Sequence, residues 1–526
     1  MSEMFSEIPA ISRQRFFTYL LLSGAAGVVT TLAFAPFHQV WLVFITQALA
    51  FTLWQQLTPR RAWFTAWVFG IGLQCSGVSW IYYSLHVHGG TPPLFAALII
   101  FLLACYLSIY TGFAAYIVTR FCPQNLILRM LIFYPAAWVF FEWAQGYVMT
   151  GFAWMQTGYT QIDLPLSGYA PVLGNYGVGG FVAMSAGALV LLLNQLYILS
   201  GRQSYLSATT KNKNEWYFLF ALKIVLPVAF IWLLGGIIKP INWTTPEGEP
   251  IKVSLIQGNV PQAVKWKREM RQPTLNLYRR LTLAQDDDVD LIIWPETAVP
   301  DYWYPVQPFV RELKQQMAKR HTDLIFGIFV KNDQLQLLNS MLSVNGEVYS
   351  KRHLVPLGEF IPLRFLIDFF SRWVHIPMSD IASGADDQPL LHGAGIPLGI
   401  SLCYEDAFSR DILTTLPEAK LLVNASNDAW FEDSNESYQH HEIARMRALE
   451  TGRYMVRATN TGISAIIGPH GEVLKQAPHF EVAVLTAEVQ PMVGSTPFVI
   501  WENYLVLFIC GGLLVFYMAR YYTRSR

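Results

Sequence analysis

Long apolar runs fill the first 240 residues and return at the carboxy end; between them the pattern breaks into short apolar stretches divided by polar ones. Eight runs approach the ~20 residues needed to cross ~30 Å of hydrocarbon. They lie at roughly 16–35, 39–57, 62–85, 94–118, 126–144, 172–198, 217–238 and 499–519. The expectation is a polytopic helical membrane domain, with seven spans in residues 1–240 and an eighth, with a short tail, in 496–526. Residues 241–495 instead carry the β-rich runs Lys252–Gln257, Leu291–Trp294, Leu324–Phe329, Pro397–Leu402 and Leu421–Asn424, apolar at nearly every position, as strands covered on both faces are. Helical patterns at Pro308–Lys319 and His440–Tyr454 alternate with them, so this segment is expected to be one α/β domain. Asn345-Gly346 and Gly468-Pro469-His470-Gly471 mark hairpin turns within it.

Charge sets the orientation. Arg13 and Arg15 precede the first run, Arg60 and Arg61 join the second to the third, Arg120 and Arg129 flank the connection between the fourth and the fifth, and Arg202, Lys211 and Lys213 join the sixth to the seventh. Arg520, Arg524 and Arg526 follow the last run, whereas the connections Pro36–Gln39, His86–Pro93 and Gln145–Tyr169 hold no lysine or arginine. By the positive-inside rule both termini are cytoplasmic and 241–495 faces outward. Ala33-Phe34-Ala35 resembles a signal cleavage site, but the run exceeds the usual h-region of about 7–15 residues and Pro36 stands directly after it, so the first run is expected to stay as an anchor. Composition agrees: 53% of residues are hydrophobic and 14% charged, too apolar for one ordinary soluble domain. With 37 basic and 37 acidic residues there is no basic excess to suggest nucleic acid.

The candidate chemistry stands at strand ends in the outward domain. Cys403 is the sole cysteine between Lys239 and Phe498, a thiol without a partner in an oxidising space, either inert packing or kept for its reactivity. Glu296, just past an apolar strand, suits a proton acceptor, and Lys351 can stabilise an oxyanion or lower a neighbouring thiol's pKa. Taken singly, these are a turn carboxylate, a surface cation and a core filler. No histidine and cysteine cluster has zinc spacing and no glycine-rich phosphate loop occurs.

Their local sequences resemble the Glu-Lys-Cys signatures of the nitrilase, or carbon-nitrogen hydrolase, superfamily over roughly residues 250–490. Trp294-Pro295-Glu296 looks like the glutamate motif, Lys351-Arg352-His353-Leu354-Val355-Pro356 the lysine motif, and Cys403-Tyr404-Glu405 the nucleophile motif. Asn424–Phe431 is similar to the segment that follows. The resemblance implies an αββα sandwich with Glu296 as general base, Lys351 as oxyanion stabiliser and Cys403 as acylated nucleophile.

Set between membrane runs, such a domain resembles the apolipoprotein N-acyltransferase family over essentially the whole chain. Gln257–Gln262 with Lys265-Trp266, Gly358-Glu359-Phe360-Ile361-Pro362 and Arg445–Glu450 add to the match. The resemblance implies a bacterial inner-membrane enzyme with a periplasmic catalytic domain and no cofactor or metal. Its donor would be a phospholipid, typically phosphatidylethanolamine, and its acceptor the α-amine of the S-diacylglyceryl cysteine of an apolipoprotein. Glu359, Tyr404 and Glu405 are supporting candidates; for Glu359 and Glu405 a structural ion pair stands beside a catalytic role. Trp266, Phe360 and Trp154 are candidate substrate contacts. Phe360 begins an aromatic stretch with Phe365, Phe369, Phe370 and Trp373 that suits either an interfacial arm or core packing, and Trp154 lies in the outward loop Gly146–Tyr169. Glu142, inside the fifth run, is either a functional carboxylate or half of a helix-packing pair.

Overall fold

The computed structural model describes residues 11–199, 221–356, 358–360 and 380–525. They form two compact units, one of Met1–Ser79, Ile99–Ile241 and Trp501–Arg526, the other of Trp80–Leu98 and Asn242–Ile500.

In the first unit apolar helices dominate. Among the described residues five helices are long and apolar enough to cross a membrane: Arg13–Ala33, Pro93–Phe121, Leu126–Gln145, Pro165–Tyr197 and Tyr504–Thr523. Two further runs correspond to shorter apolar helices, Trp41–Trp54 and Leu222–Ile238, and the run at 62–85 to the helix Pro59–Gly77, which carries Arg60, Arg61 and Gln74. Small residues let the helices Arg13–Thr30 and Pro59–Gly77 touch at backbone distance. A Cβ on Gly27 would fall 2.0 Å from the carbonyl oxygen of Phe69, and one on Gly72 2.3 Å from that of Gly24. Ser23 donates to the Thr65 carbonyl at 2.8 Å across the same seam. Phe17, Phe101, Phe230 and Phe508 stand on outer faces, 47–80% exposed, where only an apolar surrounding leaves them without cost.

The second unit holds two six-stranded sheets. In the first, Ile251–Gln257, Leu291–Ile293 and Asp323–Lys331 run parallel, flanked by antiparallel Ala483–Val489 on one side and by Leu337–Ser343 and Val348–Ser350 on the other. The second repeats the plan: Ile396–Leu402, Leu421–Ser426 and Met455–Thr459 are parallel, with Leu391–Gly393 antiparallel at one edge and Ala465–Ile467 then Val473–Gln476 at the other. Strand periodicity separates the faces. Val253, Leu255, Leu291 and Ile293 pack against Leu398, Ile400, Val423 and Ala425 between the sheets. The alternate residues Ile256, Ile292 and Trp294 face outward onto Leu275, Tyr278, Val310 and Leu313 of the helices Arg268–Leu283 and Trp303–Arg320. On the far side Leu422 and Met455 meet Ala444 and Ala448 of the helix Asn435–Thr451. The result is helix, sheet, sheet, helix, and the hairpins fall at Asn345-Gly346 and around Gly468–Gly471.

Parallel strands side by side bring their carboxyl ends together, which in α/β folds is where chemistry gathers. Glu296 follows Leu291–Ile293, Cys403 follows Ile396–Leu402, Asn427 follows Leu421–Ser426 and Asn460 follows Met455–Thr459.

The segment Trp80–Leu98 also belongs to this unit. Buried Trp80 donates its indole N–H to Gln439 Oε1 at 3.1 Å and its ring meets Phe431 at 4.8 Å; His88 lies 2.8 Å from Glu432 and edge-on to Trp430.

Candidate active site

Glu296 leaves its strand buried, 6% exposed, and the next residue, Thr297, adopts φ +50° to turn the chain. Its Oε1 accepts from Asn339 Nδ2 at 2.7 Å and lies 3.4 Å from Lys351 Nζ, while Oε2 accepts the Asn427 backbone N–H at 3.0 Å. The two sheets are thereby joined through one carboxylate.

Lys351, 1% exposed, stands between two acids: its Nζ is 3.0 Å from Glu359 and 3.4 Å from Glu296. Burial works against its charge, but Glu359, then Glu296 and the Cys403 sulfur, outweigh burial and hold the ammonium above its ordinary range. Glu359 accepts in turn from Asn339 Nδ2 at 3.0 Å and from the Val355 N–H at 2.8 Å.

Cys403 is the first residue past its strand and has φ +49°, a left-handed conformation that costs a non-glycine residue on the order of 1–2 kcal/mol. Its carbonyl accepts from Asn424 Nδ2 at 3.3 Å and from His440 Nε2 at 3.2 Å. The residue stays partly accessible, yet loss of hydration pushes the thiol pKa up to about 12. The Glu296 charge adds to the rise, and Lys351 and His440 oppose it. A thiol so placed rests protonated and needs a base before it can attack.

Glu405 is wholly buried and braces the site from within. Its Oε1 accepts from the N–H groups of Arg352 and His353 at 2.6 and 3.1 Å, and Oε2 from Leu402 N–H and Tyr349 O–H at 2.7 and 2.9 Å. It pins the loop carrying Lys351 to the strand carrying Cys403. Burial lifts its own pKa to about 7. Tyr404 packs its ring edge-on against His353 and Phe408.

Of the candidate substrate contacts, Trp266 is 39% exposed beside Phe329, and Phe360 is half-buried against Phe329, Leu354 and Ile381. Trp154 is buried in the first unit. Phe365, Phe369, Phe370 and Trp373 lie outside the described residues. Glu142 accepts from the Thr157 N–H at 2.8 Å and the Trp138 indole at 3.3 Å, bracing the turn that follows its helix.

Several groups at this centre carry no sequence signal strong enough to give them a role. Lys265 is 2% exposed, donates to Thr297 Oγ1 at 2.7 Å, and burial lowers its pKa to about 7. Behind Cys403 lies a fully buried ionic cluster of Asp406, Asp428, Glu436, His440 and Arg457. Donor atoms of Cys403, Asp428 and His440 lie within 4.8 Å of one another, a spacing that could hold a metal ion. Those of the histidine and aspartate are already committed: His440 to Asp406 and Glu436, Asp428 to Arg457 and Ser426. With Arg457 occupying the carboxylates, the donor set fits an ion-pair cluster better than a cation site. Arg457, a charge in the middle of the buried strand Met455–Thr459, is the sequence feature that points to it.

Residues 26–188 match the family model described as the apolipoprotein N-acyltransferase N-terminal domain, and residues 252–498 match that of carbon-nitrogen hydrolases. The chain is 38% identical over 505 residues to the apolipoprotein N-acyltransferase of Methylococcus capsulatus, covering 95% of this chain and 96% of that one. It is 38% identical over 503 residues to the protein of the same name from Nitrosomonas europaea, covering 94% and 96%. It is 37% identical over 513 residues to that of Chromobacterium violaceum, covering 96% and 94%.

Proposed function

The chain belongs to the apolipoprotein N-acyltransferase family, and on that premise we propose that it moves an acyl chain from a membrane phospholipid to the α-amine of the S-diacylglyceryl cysteine of apolipoproteins. The observation that carries this reading is similarity along nearly the whole chain, through both the apolar half and the hydrolase-like half. The apolar helices support a multi-pass protein of the bacterial inner membrane. We read eight spans from the apolar runs, and a periplasmic catalytic domain with cytoplasmic termini from the lysine and arginine pattern.

In this mechanism Glu296 takes the thiol proton as Cys403 Sγ attacks the ester carbonyl carbon, and Lys351 faces the negative charge that develops on the carbonyl oxygen. Collapse breaks the ester C–O bond; the lysophospholipid alkoxide takes the proton from Glu296 and leaves a Cys403 thioester. The acceptor amine then attacks the thioester, gives a proton to Glu296 and forms the amide, and the thiolate regains that proton. The high resting pKa of the thiol makes the base necessary, and the position of Lys351 between two carboxylates keeps it charged throughout. Phosphatidylethanolamine is the proposed donor.

Intact mass of the purified protein after incubation with phosphatidylethanolamine vesicles tests the reading. A fatty-acyl increment located on Cys403, discharged by a diacylglyceryl-cysteine peptide, is expected. Discharge by water alone at the same rate would indicate a membrane-tethered hydrolase instead, and an increment that never forms would remove Cys403 from the mechanism.

A further inference from the structure

His440 is wholly buried on the helix Asn435–Thr451, and both of its ring nitrogens meet oxygen acceptors. Nε2 lies 3.2 Å from the Cys403 carbonyl and 2.9 Å from Asp406 Oδ1; Nδ1 lies 3.1 Å from Glu436 Oε1 and 3.5 Å from Asp428 Oδ1. With Asp406 and Glu436 ionised, a neutral imidazole, which has one N–H, would leave one nitrogen lone pair against an oxygen lone pair, whereas an imidazolium satisfies both sides. The carbonyl it touches is that of the residue held at φ +49°. From this geometry we infer that His440 is a positioning residue for the thiol: as an imidazolium it fixes the left-handed turn at Cys403 by hydrogen bond and favours the thiolate by its charge.

The surroundings bear on the sign of that effect. Facing the Cys403 sulfur are Glu296 from the first sheet, Lys351 from the loop after Val348–Ser350, Asp428 from the turn after Leu421–Ser426, His440 from its helix and Arg457 from the strand Met455–Thr459. Two cations behind the thiol, His440 and Arg457, are set against Asp406 and Asp428, with Glu436 pushed up by burial to about 7. The carboxylates around His440 hold its proton well above the ordinary range although burial and Arg457 act against it. Neutralising His440 leaves the two aspartates opposed by Arg457 alone, and the field at the sulfur turns against the thiolate. Asn424, the second donor on the Cys403 carbonyl, carries no charge and therefore contributes to position but not to acidity.

The inference rests on Cys403 being the reactive thiol, and its test uses the thiol alone, with no lipid turnover required. Alkylation of Cys403 by iodoacetamide in the full-length, detergent-solubilised protein is followed against pH by peptide-resolved mass spectrometry. Two variants separate charge from hydrogen bond. His440→Gln places an amide near Nε2 and keeps the bond to the carbonyl; His440→Asn is too short to reach it. Both are expected to slow alkylation about tenfold at every pH from about 7 to 10, below the midpoint, where a tenfold loss equals a rise of one unit, and only His440→Asn is expected to lose further rate. Profiles that superimpose on the wild type in variants with an unchanged thermal transition would overturn the inference. Should neither variant fold, nitrogen NMR of the wild-type protein labelled at histidine decides: one histidine with both ring nitrogens protonated at pH 8 is expected, and neutral tautomers throughout would overturn it.

Discussion

Lys351 is shared: its Nζ lies 3.0 Å from Glu359 and 3.4 Å from Glu296, with Asn339 Nδ2 donating to both carboxylates at 3.0 and 2.7 Å. Two acids and one ammonium in a buried space leave the group with net negative charge, so Glu359 keeps Lys351 charged and leaves Glu296 only a partial hold on it. Replacement of Glu359 by glutamine removes its charge and leaves one accepting oxygen where two now serve Asn339, Lys351 and the Val355 N–H, and is expected to turn Lys351 toward Glu296, weakening the proposed base. Acyl-enzyme formation should slow by roughly 10- to 100-fold, on the scale of a general-base contribution, with little change in lipid KM. A normal rate of thioester accumulation by rapid-quench mass spectrometry would make Glu359 a structural partner only.

Removal of any one of the three central groups should act on the first half-reaction. Cys403→Ser substitutes a hydroxyl far less acidic than a thiol already lifted to about 12, and no acyl-enzyme is expected from it. Glu296→Gln and Lys351→Met should each cost about 10² or more in rate. Full acyl transfer by the purified serine variant would refute the covalent route.

The α/β layering is legible in the sequence because the five β-rich runs are apolar on both parities, a pattern that fits strands covered from two sides. The hairpins follow from Asn345-Gly346 and Gly468–Gly471. Glu296, Lys351 and Cys403 stand out by motif. Their partners do not: Asn339 reads as one polar residue within a strand, and His440 as one of several polar side chains that the helix Asn435–Thr451 buries. Such pairings join residues tens to hundreds of positions apart and leave no local periodicity. The run at 62–85 reads as one span because Trp80, Ile81, Tyr82 and Tyr83 are apolar or aromatic, yet the helix ends at Gly77 and Trp80 packs on Phe431.

That packing makes a prediction. Trp80→Ala removes a buried indole and is expected to cost about 3–5 kcal/mol of stability, the range for a large aromatic truncated in a core. Trp80→Phe keeps the ring contact with Phe431 but loses the bond to Gln439, costing about 1 kcal/mol. Thermal unfolding of both variants checks the order; equal, negligible losses would mean that the segment Trp80–Leu98 is not held by its tryptophan.

Lys265 links stability to pH. Burial lowers its pKa to about 7, against ~10.4 for an unfolded lysine. Below about pH 7 both states hold the proton and the full cost of a buried charge is present. As pH rises from there towards ~10.4, the native state has released a proton that the unfolded chain retains, so stability climbs by at most about 1.4 kcal/mol per unit. Lys265→Met should be less pH-dependent across that window and comparatively more stable below it, at the expense of the bond to Thr297 Oγ1. Denaturation midpoints at pH 6, 7.5 and 9 provide the test, and parallel curves for the two proteins would show that Lys265 holds its charge in the fold.

A phospholipid ester lies near headgroup level, so in the proposed mechanism the acyl donor reaches Cys403 from a surface that tolerates both water and hydrocarbon. Trp266, 39% exposed beside Phe329 and next in sequence to Lys265, has that amphipathic character, and half-buried Phe360 packs on the same phenylalanine. Trp266→Ala is expected to slow acylation by bilayer phosphatidylethanolamine by about tenfold or more, because losing ~60 Å² or more of apolar contact at ~25 cal/mol per Å² removes about 1.5 kcal/mol. A short water-soluble ester, which makes no such contact, should acylate Cys403 at close to the wild-type rate. Equal losses on the two substrates would place Trp266 in the support of the catalytic groups, and no loss on either would move lipid entry to the aromatic stretch that continues from Phe360 through Phe365, Phe369 and Phe370.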